Sequence, residues 1–455
     1  MSRAMRRPHV PKHVNEKDAF RADQKSTVKK IATKRTKTGP RKIRSWKQVY
    51  AKCLLLLLCF CLVFFTGRGI ARKEENFRIE TNNIRGLNDF QTETLDAPRC
   101  SAIDSGEVTF TLVTQFSEDR LWMMEYHCKR WGHSPISVSV LTNQTTNEVL
   151  DAIYALGCNR EQLVVQTLHA NYDRVSDYPV NILREMALSA VKTSHVMYVD
   201  IDFWESNDLH DILFFPSVRK ALSENPKLAL VIPAFQLNRQ CKEYRDCPEI
   251  NIPLMPRNRE ALVQSVTERK TTIFDPTNRG GHGSTQYDAW SRQESGEIYD
   301  IPCFKSNRYE PYTAFRYCRD LPPFQKQFSG YGKNKMAWVM HLRRVGYSFA
   351  QLGGAFLVHY PHLDSPSRME WNLGPTEANP LRGQDGKLYK KLPEDMAVSD
   401  WTAYKRGQVD ATFVKFRNWL QSRVQDETVT PMCEDSIDDD SRLWIDRTKD
   451  VSISS

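Results

Sequence analysis

The stretch HVMYVDIDFWES, His195 to Ser206, decides how this chain is read. A mostly apolar run ends in two aspartates one residue apart, and aromatics follow. It reads as a buried strand whose end carries paired charge. In an extended chain residues i and i+2 point to the same side. Asp200 and Asp202 therefore present two carboxylates together, and Ile201 faces the other way. Such a pair repels itself unless a cation neutralises it. Hard divalent ions such as Mg2+ and Mn2+ take oxygen ligands. Open α/β sheets bind ligands beyond the carboxyl ends of their strands, where this pair falls. The expected partner is a metal that bridges a diphosphate. The competing reading is a surface acid pair, because many exposed loops contain D-x-D.

Outward from this stretch, strands and helices alternate. EVTFTLVTQF, ISVSVLT, EQLVVQTL and LALVIPAF read as further strands, and GGAFLVHYPH as a late one. SEDRLWMMEYHCKRW places Leu121, Met124 and Cys128 at the spacing of one helix face. PVNILREMALSAVKTS reads as a helix opened by Pro179, with Ile182, Met186 and Ala190 on one side. WTAYKRGQVDATFVKFRNWLQSRV is a candidate C-terminal helix. The alternation predicts an α/β domain with a parallel sheet over residues 103–425. The segment from Asn238 to Tyr309 is loop-rich and polar, and residues 426–455 read as an acidic flexible tail.

The 455 residues carry a formal charge of +9, but it is unevenly placed. Residues 1–52 hold 17 Lys/Arg against 3 Asp/Glu, a net of +14, which leaves the rest at −5. A nucleic-acid arm is the alternative for this tail, but it has little aromatic interleaving and no recognisable fold, so nucleic acid is not an expected partner. Behind it, Cys53 to Phe65 gives 13 unbroken apolar residues, about 20 Å of helix. Trp46 to Gly67 reaches 22 residues if Lys47 and Lys52 snorkel to the headgroups. A cleaved signal peptide is the rival reading, but such peptides begin nearer the N-terminus. The expected element is an uncleaved type II signal anchor at 53–67, followed by a stem at 68–102. The positive-inside rule keeps the basic tail cytosolic and puts the rest in the lumen, and the short span suits an early secretory or Golgi membrane.

Cysteine usage agrees with an oxidising lumen. Of 11 cysteines, 3 lie in the span and 8 beyond it, an even number that permits disulfides. Cys241 and Cys247 enclose a short polar loop and are the leading pair. No CxxC or paired Cys/His spacing supports zinc. Asn143-Gln144-Thr145 is a glycosylation sequon, usable only on the luminal side.

PVNILREMALSAVKTSHVMYVDIDFWES resembles the donor-site segment of the family 49 glycosyltransferases, the LARGE-type glucuronyltransferase domain and its β-1,4-glucuronyltransferase relative. Three more stretches are similar in order. They are LVTQFSEDRLWMMEYHCKRWGHSPISVSV from Leu112, GHGSTQYDAW from Gly281, and the long segment from Tyr309 to His362. The resemblance covers about residues 108–364 and the late helix. It implies a Rossmann-like GT-A fold, Mn2+, inversion at the anomeric carbon and a UDP-sugar donor, UDP-glucuronate in characterised relatives. The partners are then that donor and a glycan acceptor.

Carried over residue by residue, the resemblance makes Asp200, Asp202 and His359 the metal ligands, with His362 a near neighbour. A histidine that merely caps its strand is the alternative for His359. Gln115 and Arg120 flank the loop after the first strand, where uridine and phosphate contacts are expected; an ordinary surface cation is the alternative for Arg120. Asn181 and Arg184 fall near the donor, and Arg184 suits bidentate pairing with a carboxylate or phosphate; a helix-surface salt bridge is the alternative. Asn334 and Lys335 in GYGKNK read as a Gly-rich loop in donor or acceptor contact. An inverting transfer needs a base for the acceptor hydroxyl. Glu310, flanked by aromatics, is the first candidate and Asp320 the second.

Two departures bear on the acceptor. Residues 241–264 and 365–397 read as inserts, and acceptor choice resides in such loops. The stem leaves no room for a second transferase domain, so a processive copolymerase is not expected. The competing function is a membrane-tethered carbohydrate-binding protein without turnover, and a homo-oligomer is compatible with either.

Overall fold

His195 to Tyr198 form a strand that is paired on both sides, and all four residues are buried. The computed structural model describes residues 90–94, 97–170, 178–241, 247–365, 368, 381–382, 388–389 and 398–436. The basic tail, the apolar span, most of the stem, most of the 365–397 insert and the end of the acidic tail lie outside these residues. Among the described residues no helix is long and apolar enough to cross a membrane.

The strands are β1 (Phe110–Ser117), β2 (Ile136–Thr142), β3 (Leu163–His169), β4 (His195–Tyr198), β5 (Phe203–Glu205), β6 (Leu228–Ile232), β7 (Ala234–Leu237), β8 (Thr271–Ile273), β9 (Ile298–Asp300), β10 (Tyr312–Arg316), β11 (Ser348–Leu352) and β12 (Leu357–His359). Five helices matter below: α1 (Met124–Arg130), α2 (Thr146–Ala155), α3 (Val180–Ser189), α4 (Asn334–Arg344) and α5 (Val398–Arg423).

An eight-stranded sheet runs in the order β3-β2-β1-β4-β10-β6-β11-β9. Its first four strands are parallel, with Leu112 opposite Ile136 and Met197. β10 is antiparallel to both β4 and β6, and β9 is antiparallel to β11. The sheet is therefore mixed, which corrects the expectation of a parallel one. The strand at 312–316 was not visible in the sequence because its partners lie far away along the chain. The order 3-2-1-4 reverses direction after β1, and ligands bind at such a switch point.

A smaller sheet, β5-β12-β7-β8, covers one end of the site. The expected strand LALVIPAF is in fact two. Pro233 has no N–H for a ladder, and the chain passes there from β6 in the large sheet to β7 in the small one. β12 lies antiparallel to β5, so His359 faces Phe203 across the pair.

The core is apolar on both faces of the large sheet: Leu112, Val113, Val138, Val140, Val196, Met197, Leu230 and Phe315 are all inaccessible to water. A satellite cluster of Phe328, Met336, Phe413, Phe416 and Leu420 holds α5 against α4. Four disulfides use every cysteine beyond the apolar span: Cys100–Cys318, Cys128–Cys158, Cys241–Cys247 and Cys303–Cys433. The pair expected from spacing, Cys241–Cys247, is among them. The polar region 238–309 is less irregular than its composition suggests, since it also holds β8, β9 and the helix Arg259–Thr267.

Candidate active site

The two aspartates sit just past the strand, in the tight turn between β4 and β5. The Phe203 N–H donates to the Asp200 carbonyl at 2.9 Å and closes the turn. β4 brings Asp200 to the carboxyl end of the large sheet, and β5 returns along the small sheet. The acids consequently face different sets of partners.

Asp200 lies in a cage of donors. Its Oδ1 accepts from Tyr198 Oη at 2.5 Å, Arg184 Nη2 at 3.2 Å and Gln115 Nε2 at 3.5 Å. Its Oδ2 accepts from Tyr312 Oη at 2.7 Å and Lys335 Nζ at 3.3 Å. Burial opposes its ionisation, but the Lys335 and Arg184 cations outweigh burial and hold the carboxyl well below the usual range. Arg184 comes from α3 and is itself fixed: Nε donates to Tyr198 Oη at 2.5 Å, and Nη1 donates to Asn181 Oδ1 and Asn334 Oδ1, each at 2.9 Å. The Lys335 ammonium stands 3.6 Å from the centre of the Tyr312 ring, a cation–π contact.

Asp202 faces histidines. Its Oδ2 lies 2.9 Å from His362 Nε2, 3.7 Å from His359 Nε2 and 2.7 Å from Arg120 Nη1. One ligand atom from each of Asp202, His359 and His362 falls within 4.8 Å of the others, a spacing that a single ion can bridge. Burial opposes ionisation of Asp202, yet the two imidazoles and Arg120 carry it far below its ordinary range. Burial also pushes the His359 imidazole toward its neutral form, despite Asp202. An ionised carboxylate beside a neutral imidazole is the state in which both bind metal. One oxygen and two nitrogens suit Mn2+ and other first-row ions better than Mg2+.

Every expected residue but one reaches this neighbourhood. Gln115 bridges Tyr178 and Asp200. Asn181 is fully buried and acts through Arg184, its Nδ2 donating to the Gln325 carbonyl at 2.8 Å. Asn334 and Lys335 are not in a loop: they open α4, after Lys333 takes the left-handed conformation at φ 55°. Their side chains thereby turn toward Arg184 and Asp200.

Glu310 stands at the head of β10, two residues before Tyr312, on the Asp200 end of the sheet. Its N–H donates to the Gly281 carbonyl at 2.9 Å, which docks the GHGSTQYDAW loop against it. Burial, opposed by Lys335 and assisted by Asp200, raises its pKa. Asp320 is the exception. β10 runs antiparallel to β4, and Arg316 at its far end pairs with His195 at the start of β4. Asp320 lies beyond that end, exposed, its N–H on Cys100 Sγ. The four steps from Tyr312 to Arg316 already span about 13 Å, so Asp320 is set aside as the base.

Sequence reasoning undervalued His362 and missed Tyr198, Tyr312 and His282. Tyr198 was legible in principle, since i and i+2 share a side with Asp200. Tyr312 follows Glu310 by the same rule. His282, buried against Phe274 and near Lys335, has its pKa pushed down to about 3 by burial, with Lys335 adding to it.

Residues 158–372 match the profile of the family described as "Glycosyl-transferase for dystroglycan". The xylosyl- and glucuronyltransferase LARGE2 of Mus musculus is 31% identical over 284 residues, which cover 62% of this chain and 38% of that protein. The glycosyltransferase-like protein gnt14 of Dictyostelium discoideum is 28% identical over 287 residues, 62% of this chain and 42% of its own. The chain thus spans about two fifths of the length of these relatives. Among solved structures, GalNAc-T7 with UDP, GalNAc and Mn2+ superposes with a TM-score of 0.38 at 11% identity, over 71% of this chain and 56% of that one.

Proposed function

Because this chain belongs to the LARGE-type family 49 glycosyltransferases, we propose that it is an inverting, Mn2+-dependent transferase of GT-A fold. It moves a sugar, glucuronate in this reading, from a UDP-sugar to a glycan acceptor. The observation that carries the proposal is the Asp202, His359 and His362 cluster at the carboxyl end of β4, beside a second aspartate held by cations.

In this reading Asp202 and the two histidines hold the ion, with Asp200 alongside. An Mn2+ ion held by these residues would supply Lewis-acid stabilisation of the charge that develops on departing UDP. Arg120, in the turn after β1, holds Asp202 through Nη1 and is the cation that would pair with a phosphate oxygen. Arg184 and Lys335 balance Asp200 and keep the buried turn electrically compensated. Glu310 takes the acceptor hydroxyl's proton as that oxygen attacks opposite the leaving group. Its raised pKa suits a base, because a stronger base accepts a proton more readily.

The test is a screen of UDP-sugars for UDP release by the purified full chain, with and without Mn2+. Release from one donor that needs Mn2+ is the expected result. A protein that binds glycans but releases no UDP from any donor would be a carbohydrate-binding protein instead. His362→Ala should raise the Mn2+ concentration for half-maximal UDP binding by about tenfold or more, since even outer partners of a metal are worth that much. Titration calorimetry reads it, and an unchanged Mn2+ requirement would take His362 out of the ligand set.

We also propose a type II topology in the Golgi membrane, with the catalytic domain luminal. Four disulfides support an oxidising compartment. Asn143 is exposed at the end of β2, just before the Thr145 cap of α2. Glycosidase treatment of the expressed protein should lower its apparent mass, and Asn143→Gln should remove that shift. A wild-type protein that does not shift would count against a luminal Asn143.

A further inference from the structure

The turn that carries the aspartates exposes three successive backbone carbonyls to its surroundings, and each has a donor. Asp200 accepts from the Phe203 N–H at 2.9 Å, and Asp202 accepts from the Tyr360 N–H at 2.8 Å. Between them, Ile201 accepts from a side chain, His127 Nε2, at 2.8 Å. His127 comes from α1 and is completely buried. Its other ring nitrogen, Nδ1, lies 2.8 Å from Glu205 Oε1, and Glu205 is completely buried too.

A carbonyl oxygen only accepts, so the proton must sit on His127 Nε2. Glu205 offers the second ring nitrogen a carboxylate, and the ring is thus held between two acceptors with one orientation open to it. Burial disfavours a charged ring here, but Glu205 and the Ile201 carbonyl outweigh it and raise the pKa. Glu205 is fixed in turn. It pairs with Leu357 across β5 and β12, and its backbone carbonyl accepts from Arg130 Nη1 at 2.8 Å. Arg130 also reaches the Pro256 carbonyl at 3.2 Å. His127 and Arg130 are three apart on one face of α1, and Cys128 between them ties that helix to Cys158.

We propose that His127 is a positioning residue for the metal site: through the Ile201 carbonyl it fixes the turn so that the Asp202 carboxylate meets His359 and His362. The inference rests on the reading of Asp202, His359 and His362 as metal ligands. His127 touches no ligand atom itself. Its effect is on where Asp202 points, in the way that outer hydrogen bonds orient metal ligands.

The test measures Mn2+ binding by the full chain in the presence of UDP, from the free-ion electron paramagnetic resonance signal, with no turnover involved. Asp202→Asn gives the background from unrelated sites. His127→Leu should weaken the Asp202-dependent binding about 10- to 100-fold. His127→Gln keeps an N–H near the Nε2 position and should restore much of it. Thr430→Val is the control: it removes a buried hydrogen bond to the Tyr347 carbonyl, at the end of the large sheet opposite the aspartates. It should lower the melting temperature and leave Mn2+ affinity unchanged. If His127→Leu does not fold, Glu205→Gln takes its place, and an intermediate loss is expected. Wild-type Mn2+ affinity in a folded His127→Leu, or in Glu205→Gln, overturns the positioning role and leaves the ligand assignment standing. Absence of Asp202-dependent binding in the wild type brings both down together.

Discussion

Asp202→Asn is expected to abolish sugar transfer while the protein stays folded. The amide has the shape of the carboxylate, so the turn and the small sheet keep their packing. What is lost is the anion shared by Arg120 at 2.7 Å, His362 at 2.9 Å and His359 at 3.7 Å. Without it the cluster offers two imidazoles facing a cation, Arg120, that has lost its carboxylate. A divalent ion then meets repulsion where it had met charge. Lewis-acid help to a leaving diphosphate is worth several kcal/mol. A loss of about 3–4 kcal/mol corresponds to roughly 10²–10³-fold in rate. Calorimetric binding of UDP with Mn2+, run beside a transfer assay, separates the two effects. Normal Mn2+-dependent UDP affinity in the variant would remove Asp202 from the metal site.

The difference between the two aspartates was hidden in the sequence, although the pair itself was plain. An apolar run that stops at two acids announces a strand end, and that signal is local. So were the helix holding Arg184 and the late strand leading to His359, since periodicity and burial are written within a few residues. What was not legible depends on pairing between distant segments. β12 lies against β5, and only that register brings His359 and His362 to Asp202 and leaves Asp200 to the cations of α3 and α4. Likewise β10 inserts antiparallel between β4 and β6, which puts Glu310 at the site and Asp320 at the opposite end, though ten residues separate them in sequence. Lys335 was misplaced for a different reason. Glycines around it read as a loop, but the left-handed turn at Lys333 is the entry to a helix. Pro233, by contrast, carried its own warning: a strand reading that runs through a proline must break there.

Glu310→Gln should fail differently from Asp202→Asn. Its side chain is held close to, but outside, the two clusters: Glu310 shares the Asp200 end of the sheet with Tyr312 and feels Lys335, Asp200, Arg184 and Asp275. Glutamine keeps the size and the backbone bond to Gly281 and leaves Asp202, His359 and His362 untouched. UDP and Mn2+ should therefore bind as in the wild type. Transfer to acceptor should fall by about 10²–10⁴-fold, the contribution of a positioned base. The pH dependence gives an independent reading. Burial raises the Glu310 pKa, and the base works only when ionised. Activity of the wild type should therefore climb with pH through a limb that lies above the ordinary glutamate range, and that limb should be absent from the residual rate of Glu310→Gln. Turnover near wild type in the variant would exclude Glu310 as the base. Because Asp320 lies at the other end of β10, such a result would redirect the search to groups around the docked GHGSTQYDAW loop. Asp275 would come first among them, as the carboxylate whose charge Glu310 already feels.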